Sequence, residues 1–290
     1  MKTGCVKFFL STFSLLSIVF SQHSWAATSA KTHIAPEDPH TKQDLSFERI
    51  IQEKNLKVCS DAGFLPFEMK NQKGDWIGFD IEMMKEFSKF ISVKLTMVQI
   101  NFDGIIPALI SGKCDFIAAG MTVTPERKKM LLFSDTTFTT GLTLVLKNTE
   151  KNRTHFKTLA DLDRAETKIA VKTGYTSDIY LSKELKYAKI LRFDQDADLV
   201  LAVMQGRSQA FVSDTTYVKL MDKANKDKFI LIPTKIVADK FAVSARKEDQ
   251  ALIKHFNAFL KIWKTSGEYD KMKKLYFEDQ IWRSQLATSE

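Results

Sequence analysis

Three short stretches of this chain place charge and hydroxyl groups at spacings that suit a small zwitterion. In the run GMTVTPER, Gly120 is followed by Thr122, Thr124 and Arg127. A guanidinium is a planar fork of donors that matches a carboxylate, and nearby hydroxyls or backbone N–H groups complete the grip. Asp214 closes the run AFVSD and would supply the counter-charge that a buried ammonium requires. Gly174-Tyr175-Thr176 follows a predicted strand and opens a predicted helix, whose free N–H groups attract an anion. Each residue also has an ordinary reading: Arg127 as a surface arginine, Asp214 and Thr176 as helix N-caps. Taken singly, the ordinary reading is preferred.

The elements that must position these groups can be followed along the chain. Phe47, Ile50 and Ile51 begin a helical stripe near Leu45. Leu56–Ser60 reads as a buried strand, Glu68–Trp76 as a hairpin about Lys73-Gly74-Asp75, and Ile81, Met84, Phe87 and Ile91 as one face of a helix. Strands over 94–99 and 115–119 flank a helix from about Asp103 to Ser111. Strands over 168–171, 189–193 and 210–213 then alternate with helices, and two helices near 249–265 and 267–276 close the chain. This alternation predicts α/β lobes with mostly parallel sheets.

Two segments echo each other. ALISGKCDFIAAG (108–120) and AVMQGRSQAFVSD (202–214) both run from an apolar helix end, through Gly and a basic residue, into a strand. Superimposed, Gly120 and Asp214 take the same place, at the carboxyl end of a strand, where open parallel sheets bind ligands. Two facing lobes would put both positions on one cleft.

The 290 residues suffice for two modest lobes, and 44% hydrophobic with 27% charged residues is an ordinary globular composition. The net charge of +8 is scattered, with only short clusters such as Arg127-Lys128-Lys129 and 271–274, so a solvated basic surface is preferred over nucleic-acid or membrane binding. Lys2 and Lys7 precede an apolar run to Phe20, and Ser24-Trp25-Ala26 fits a cleavage site, so 1–26 reads as an export signal cleaved near Ala26. Residues 27–44 read as a flexible polar leader; its His33 and His40 are weak grounds for a metal. Cys5 leaves with the signal. Cys59 near the end of one strand and Cys114 at the start of its parallel neighbour would be too far apart to bridge, so two free, buried thiols are expected.

The blocks LKVCSDAGFLPFE, GDWIGFDIEMMKEF, NFDGIIPALISGKCDFIAAGMTVTPERKKMLLFSD and IAVKTGYTSDIY resemble the family 3 bacterial extracellular solute-binding proteins, and the resemblance runs from about 45 to 280. It implies a two-lobed periplasmic binding protein fold (type II) joined by two hinge strands, with lobe 1 at 45–139 plus 241–285 and lobe 2 at 140–240. It implies capture of a polar or basic L-amino acid, as a monomer in the periplasm, for the membrane permease of an ABC uptake transporter, with no cofactor. Carried over residue by residue, the carboxylate clamp falls on Arg127 and Thr122 with main-chain help from Gly120 and Thr176. The ammonium partner falls on Asp214, the aromatic walls on Phe64 and Phe102. Asp61 and Lys172 match positions near the ligand's side-chain end. If both point inward, one acceptor and one donor suit glutamine. If Lys172 turns to solvent, Asp61 alone favours arginine, lysine or histidine.

The same fold also resembles cyclohexadienyl dehydratases, which carry an acidic general acid three residues beyond the position of Asp214. Here that residue is Tyr217, a poor proton donor to a leaving hydroxyl. No metal-ligand spacing, nucleophile–histidine pair or phosphate loop is present. A binding protein is expected, not an enzyme. Sensors of this fold continue into a membrane span and signalling domains, which the sequence to Glu290 does not show.

Overall fold

The computed structural model describes residues 44–236 and 239–286. The expectations for the export signal, its cleavage, Cys5 and the leader histidines fall outside the described residues.

The chain enters through α1 (Ser46–Glu53), which buries Ile50, and passes into β1 (Asn55–Ser60). A hairpin of β2 (Met69–Lys70) and β3 (Trp76–Ile77) leads to α2 (Phe79–Phe90), whose apolar face buries Phe79, Met83, Met84 and Phe87. There follow β4 (Lys94–Gln99), α3 (Phe102–Ile110), β5 (Phe116–Ile117), α4 (Pro125–Met130) and β6 (Leu131–Phe133). The strand β7 (Phe138–Thr140) carries the chain across into β8 (Leu142–Lys147), α5 (Glu150–His155), β9 (Lys168–Lys172), α6 (Thr176–Glu184) and β10 (Lys189–Phe193). After α7 (Asp196–Met204), β11 (Ala210–Asp214), α8 (Thr215–Ala224) and β12 (Phe229–Pro233), the strand β13 (Asp239–Phe241) returns to β14 (Ser244–Arg246). The chain closes with α9 (Gln250–Thr265) and α10 (Glu268–Lys273).

Two five-stranded sheets result, ordered β4-β1-β5-β14-β6 and β10-β9-β11-β8-β12. Pairing is parallel from β4 through β5 and from β10 through β11; β14 and β8 run against their neighbours. The reversed strand is in each case the one that follows a crossing, β8 after β7 and β14 after β13. The crossings themselves pair antiparallel, Asp239 opposite Thr140 and Phe241 opposite Phe138. Two lobes, each built on one sheet, are therefore joined by a two-stranded ribbon. Both sheets present the carboxyl ends of their parallel strands where the lobes meet: Gly120, just beyond β5, and Asp214, at the end of β11, face the same space.

Lobe 1 has an aromatic core. Phe67 packs edge-on against Phe79, Phe138, Phe241 and Phe277 at 5.1–6.3 Å between ring centroids. The face of α9 carrying Leu252, Phe256, Phe259, Leu260 and Trp263 buries against it, at the i, i+4, i+7, i+8, i+11 spacing of a helical stripe. In lobe 2 the sheet has a smaller apolar cluster on each face, one around Leu144, Ile169 and Val212, the other around Val145, Leu199 and Phe211.

The cysteine expectation is overturned. Cys59 and Cys114 form a disulfide, with Cα atoms 5.7 Å apart. The strand order is not at fault, since β1 and β5 are parallel neighbours with Cys59 opposite Ile117. The error was to place Cys114 in the strand. β5 begins only at Phe116, after a bend at Asp115, so Cys114 belongs to the connection and an offset counted along ideal strands does not apply. Asp115 anchors that bend, accepting from the Lys57 N–H at 2.8 Å and pairing with Arg49.

Candidate functional site

A small cavity of about 20 Å³ lies between the lobes. Lobe 1 contributes Phe64, Phe102, Gly120, Thr122 and Arg127; lobe 2 contributes Leu142, Tyr175, Thr176, Ser177 and Asp214; Asp239 and Phe241 come from the returning ribbon strand. Gly120 follows β5 and Asp214 ends β11, the third strand of each sheet, so the two echoing segments meet across one space.

Arg127 is placed by a short, well-capped helix. Thr124 accepts the Arg127 N–H at 3.2 Å, Pro125 occupies the first helical position, and the arginine side chain turns inward until it is 4% exposed. Its guanidinium donates to the Thr122 carbonyl at 2.8 Å and to the Gly174 carbonyl of lobe 2 at 3.0 Å, and lies 5.3 Å from the centre of the Phe102 ring. Burial pulls its pKa down to about 10, against the pull of Asp239, which favours the charged form. It remains charged at neutral pH, with donors in excess of its two carbonyl partners. Thr122 and Thr176 meet across the lobes, Thr176 Oγ1 donating to Thr122 Oγ1 at 2.8 Å.

Asp214 caps α8. Its Oδ1 accepts from the N–H groups of Thr216 and Tyr217 at 2.8 and 3.3 Å, while Oδ2 is buried without a hydrogen-bond partner. Burial pushes the carboxyl up to about 7, although Thr140 and the two N–H groups favour ionisation. Both readings of Asp214 thus coexist: one oxygen caps the helix and the other is left for a donor in the cavity. Asp239 adds a second carboxyl, raised by burial and drawn back by Arg127. Sequence reasoning missed it; the only signal was an acidic residue on the returning crossing, in ADKF.

Three expected roles take a different form here. The Gly120 N–H donates to Asp80 Oδ2 at 3.0 Å, within lobe 1, and so is already engaged. Gly120 has φ +53°, and a Cβ there would lie 2.5 Å from the Phe64 ring, so its place in the wall is that of a close approach. Asp61 and Lys172 lie outside the cavity wall. They face each other at 2.7 Å, both buried, and neither alternative of an inward pair free for a ligand or a solvated lysine is what is found. Tyr175 stands between them and the cavity: its ring meets Phe102 at 4.2 Å and Phe64 at 5.6 Å, and the Lys172 ammonium lies 4.5 Å from its centre. Among the described residues no group of three or more His, Cys, Asp and Glu side chains is arranged to hold a metal ion.

Two α/β lobes joined by a two-stranded ribbon, with oppositely charged buried groups on a shared cleft, define a two-lobed ligand-binding protein. Residues 56–279 match the family model for bacterial extracellular solute-binding proteins, family 3, and the chain belongs to that family. It is 32% identical over 230 residues to a probable histidine-binding protein of Neisseria gonorrhoeae, covering 77% of this chain and 83% of that one. To the ABC transporter glutamine-binding protein GlnH of Bacillus subtilis it is 31% identical over 217 residues, covering 73% and 77%. Among solved structures, it superimposes with a TM-score of 0.75 on an ancestral amino acid-binding protein described as a precursor of cyclohexadienyl dehydratase, at 34% identity over 80% of this chain and 100% of that one.

Proposed function

We propose that this chain is an exported binding protein that captures a free polar or basic L-amino acid in the periplasm and delivers it to the membrane permease of an ABC transporter. The observation that carries this reading is the pairing, on one interlobe cavity, of a buried guanidinium with spare donors and a buried carboxylate with a free oxygen. Arg127 and the Thr122 hydroxyl take the α-carboxylate. Asp214 Oδ2, with Asp239 beside it, takes the α-ammonium. Phe64 and Phe102 wall the ligand, and the Thr176 hydroxyl closes on it from lobe 2.

A cavity of about 20 Å³ holds a water molecule at most, so an amino acid enters with the lobes apart. Lobe 1, at 45–139 plus 241–285, and lobe 2, at 140–240, then turn about the β7–β13 ribbon, and closure buries both charged ends of the ligand. The contacts that Arg127 makes to Gly174 and Thr122 makes to Thr176 become ligand-bridged. The closed form is what the permease reads. The Cys59–Cys114 bridge suits an oxidising envelope compartment, and no helix among the described residues is long and apolar enough to cross a membrane.

A dehydratase on this scaffold would need an acid where Tyr217 stands. Tyr217 is 2% exposed and burial drives its hydroxyl well above its ordinary value, which makes it a still poorer acid and favours binding over catalysis. The test is a thermal-shift screen of the purified protein against the twenty amino acids. A ligand at about 100 times its dissociation constant stabilises by about 2.7 kcal/mol. A flat screen combined with turnover of a cyclohexadienyl substrate would reverse the assignment.

A further inference from the structure

Tyr175 is a part of the cavity wall that the carboxylate and ammonium grips leave unused. It is the N-cap residue of α6 in lobe 2, and its ring reaches across the lobe boundary to Phe102 and Phe64 of lobe 1, at 4.2 and 5.6 Å between centroids. Tyr175 and Phe102 are both buried, so their contact is a seam that shuts one end of the cavity. The neighbouring walls are backed by the aromatic core of lobe 1, where Phe67 lies 5.1 Å from Phe64 and 5.3 Å from Phe241. The seam is backed instead by a buried lysine. The Lys172 ammonium donates to the Tyr175 hydroxyl at 3.0 Å and pairs with Asp196 at 2.9 Å and Asp61 at 2.7 Å, so its three N–H groups are all engaged. The backbone is fixed as well: the Tyr175 N–H donates to the Lys172 carbonyl at 3.2 Å, and the Gly174 N–H to Asp178 at 3.1 Å. Turning the ring aside would leave the buried ammonium short of a partner.

Tyr175, Lys172, Asp178 and Asp196 all belong to lobe 2, so this anchorage travels with the lobe and persists when the lobes part. Phe102 and Asp61 stay behind in lobe 1. With Arg127 and Asp214 on the α-groups, the walls left for the ligand's side chain are Phe64, Phe102, Leu142, Tyr175 and Phe241. A short side chain lets the lobes close until Phe102 meets Tyr175 and Asp61 regains Lys172. A long one wedges the seam open, and Asp61 is then buried without its cation. Resting on the amino-acid reading above, we propose that Tyr175 is a specificity-determining residue of the site, and that the ligand it admits is a short, uncharged polar L-amino acid of the size of serine or threonine. Thr122, Thr176 and Ser177 put hydroxyl residues on the same cavity, the partners that a short polar side chain needs.

Calorimetric titration with L-serine, L-threonine, L-glutamine and L-arginine tests this on the wild type, Tyr175→Ser and Tyr175→Phe. The wild type binds serine or threonine about tenfold or more tightly than glutamine and arginine, the discrimination that a misfitting group in a pocket supplies. Tyr175→Ser removes the ring, and the ratio of dissociation constants moves towards the long ligands by about tenfold or more. Tyr175→Phe keeps the ring and loses only its anchor, so it moves the ratio less. A loosened fold weakens all four ligands alike and leaves the ratio where it was. A wild type that favours neither serine nor threonine, or an unchanged ratio in Tyr175→Ser, overturns the assignment of Tyr175 while leaving the amino-acid reading standing. A shift in Tyr175→Phe as large as in Tyr175→Ser overturns it too, because the hydroxyl and not the ring would then select. If Tyr175→Ser does not fold, Tyr175→Leu, which keeps apolar bulk against Phe102 but shortens the wall, takes its place under the same criteria. A wild type that binds no amino acid removes the parent reading and this one with it.

Discussion

With Asp214 as the ammonium partner proposed above, ligand binding becomes a proton-release reaction. Its carboxyl sits at about 7 because of burial, against an ordinary value of 3.8. An ammonium docked on Oδ2 requires the ionised form, so below pH 7 the proton must leave as the ligand arrives. At pH 6 about nine in ten closed, unliganded molecules hold that proton, and ligand capture from that form releases about 0.9 proton; at pH 8 the figure is about 0.1. The apparent dissociation constant scales with one plus the ratio of protonated to ionised Asp214, about 2 at pH 7 and about 100 at pH 5, so affinity falls about fiftyfold over that interval. The fold itself responds with the opposite sign. Between pH 3.8 and about 7 the folded protein keeps a proton that the unfolded chain gives up, so Asp214 favours folding below pH 3.8 and this contribution is lost as pH rises through 7. The span of about 3 units corresponds to about 4 kcal/mol. Titrating ligand in buffers of different ionisation enthalpy counts the protons directly. Zero release at pH 6, with flat affinity from pH 8 to 5, would refute the assignment of Asp214 to the ammonium; Asp214→Asn, which cannot ionise, gives the flat profile for comparison.

Three further outcomes follow from the same geometry. The Cys59–Cys114 bridge spans 55 residues, for which loop entropy corresponds to about 4 kcal/mol, so Cys59→Ser/Cys114→Ser lowers the melting temperature by about 10 °C, and thiol titration of the unfolded wild type without reductant finds neither cysteine free. Gly120→Ala forces a side chain into left-handed backbone and into the Phe64 ring, and costs about 1–3 kcal/mol, read as a drop in denaturation midpoint. Lys183→Ala removes only the exposed bridge to Glu126, 3.2 Å long and between lobes, and leaves the denaturation midpoint unchanged within the error of the measurement.

Much of the architecture was legible because it is written in periodicity. Strands such as NLKVCS and KIAVK and the stripe of α9 are each dictated by local burial, and the echo of 108–120 in 202–214 reflects a real equivalence of third strands. Arg127, Thr122 and Asp214 could be singled out because a zwitterion demands a fixed pair of partners, but it was the family resemblance that set them above their ordinary readings; the structure brings all three to one cavity. What the sequence hid depends on where side chains turn after the elements end. The bend at Asp115 brought two cysteines together, and the Gly120 N–H turned to Asp80. Lys172 turned onto Asp61 and Asp196, a burial that sequence rules for lysine oppose and that only two flanking carboxylates permit. Asp239 was hidden for a simpler reason: an isolated aspartate on a three-residue strand has no pattern to mark it.

The central claim is that one buried arginine grips the α-carboxylate common to every ligand of the site. Titration calorimetry of Arg127→Ala with the amino acid that binds the wild type most tightly tests it most directly. Loss of one partner of a buried charge pair costs about 2–5 kcal/mol, so the dissociation constant rises about 30-fold to several thousandfold, and by a similar factor for every other amino acid that binds. An Arg127→Ala protein that remains folded and binds its ligand with near-normal affinity would contradict the account.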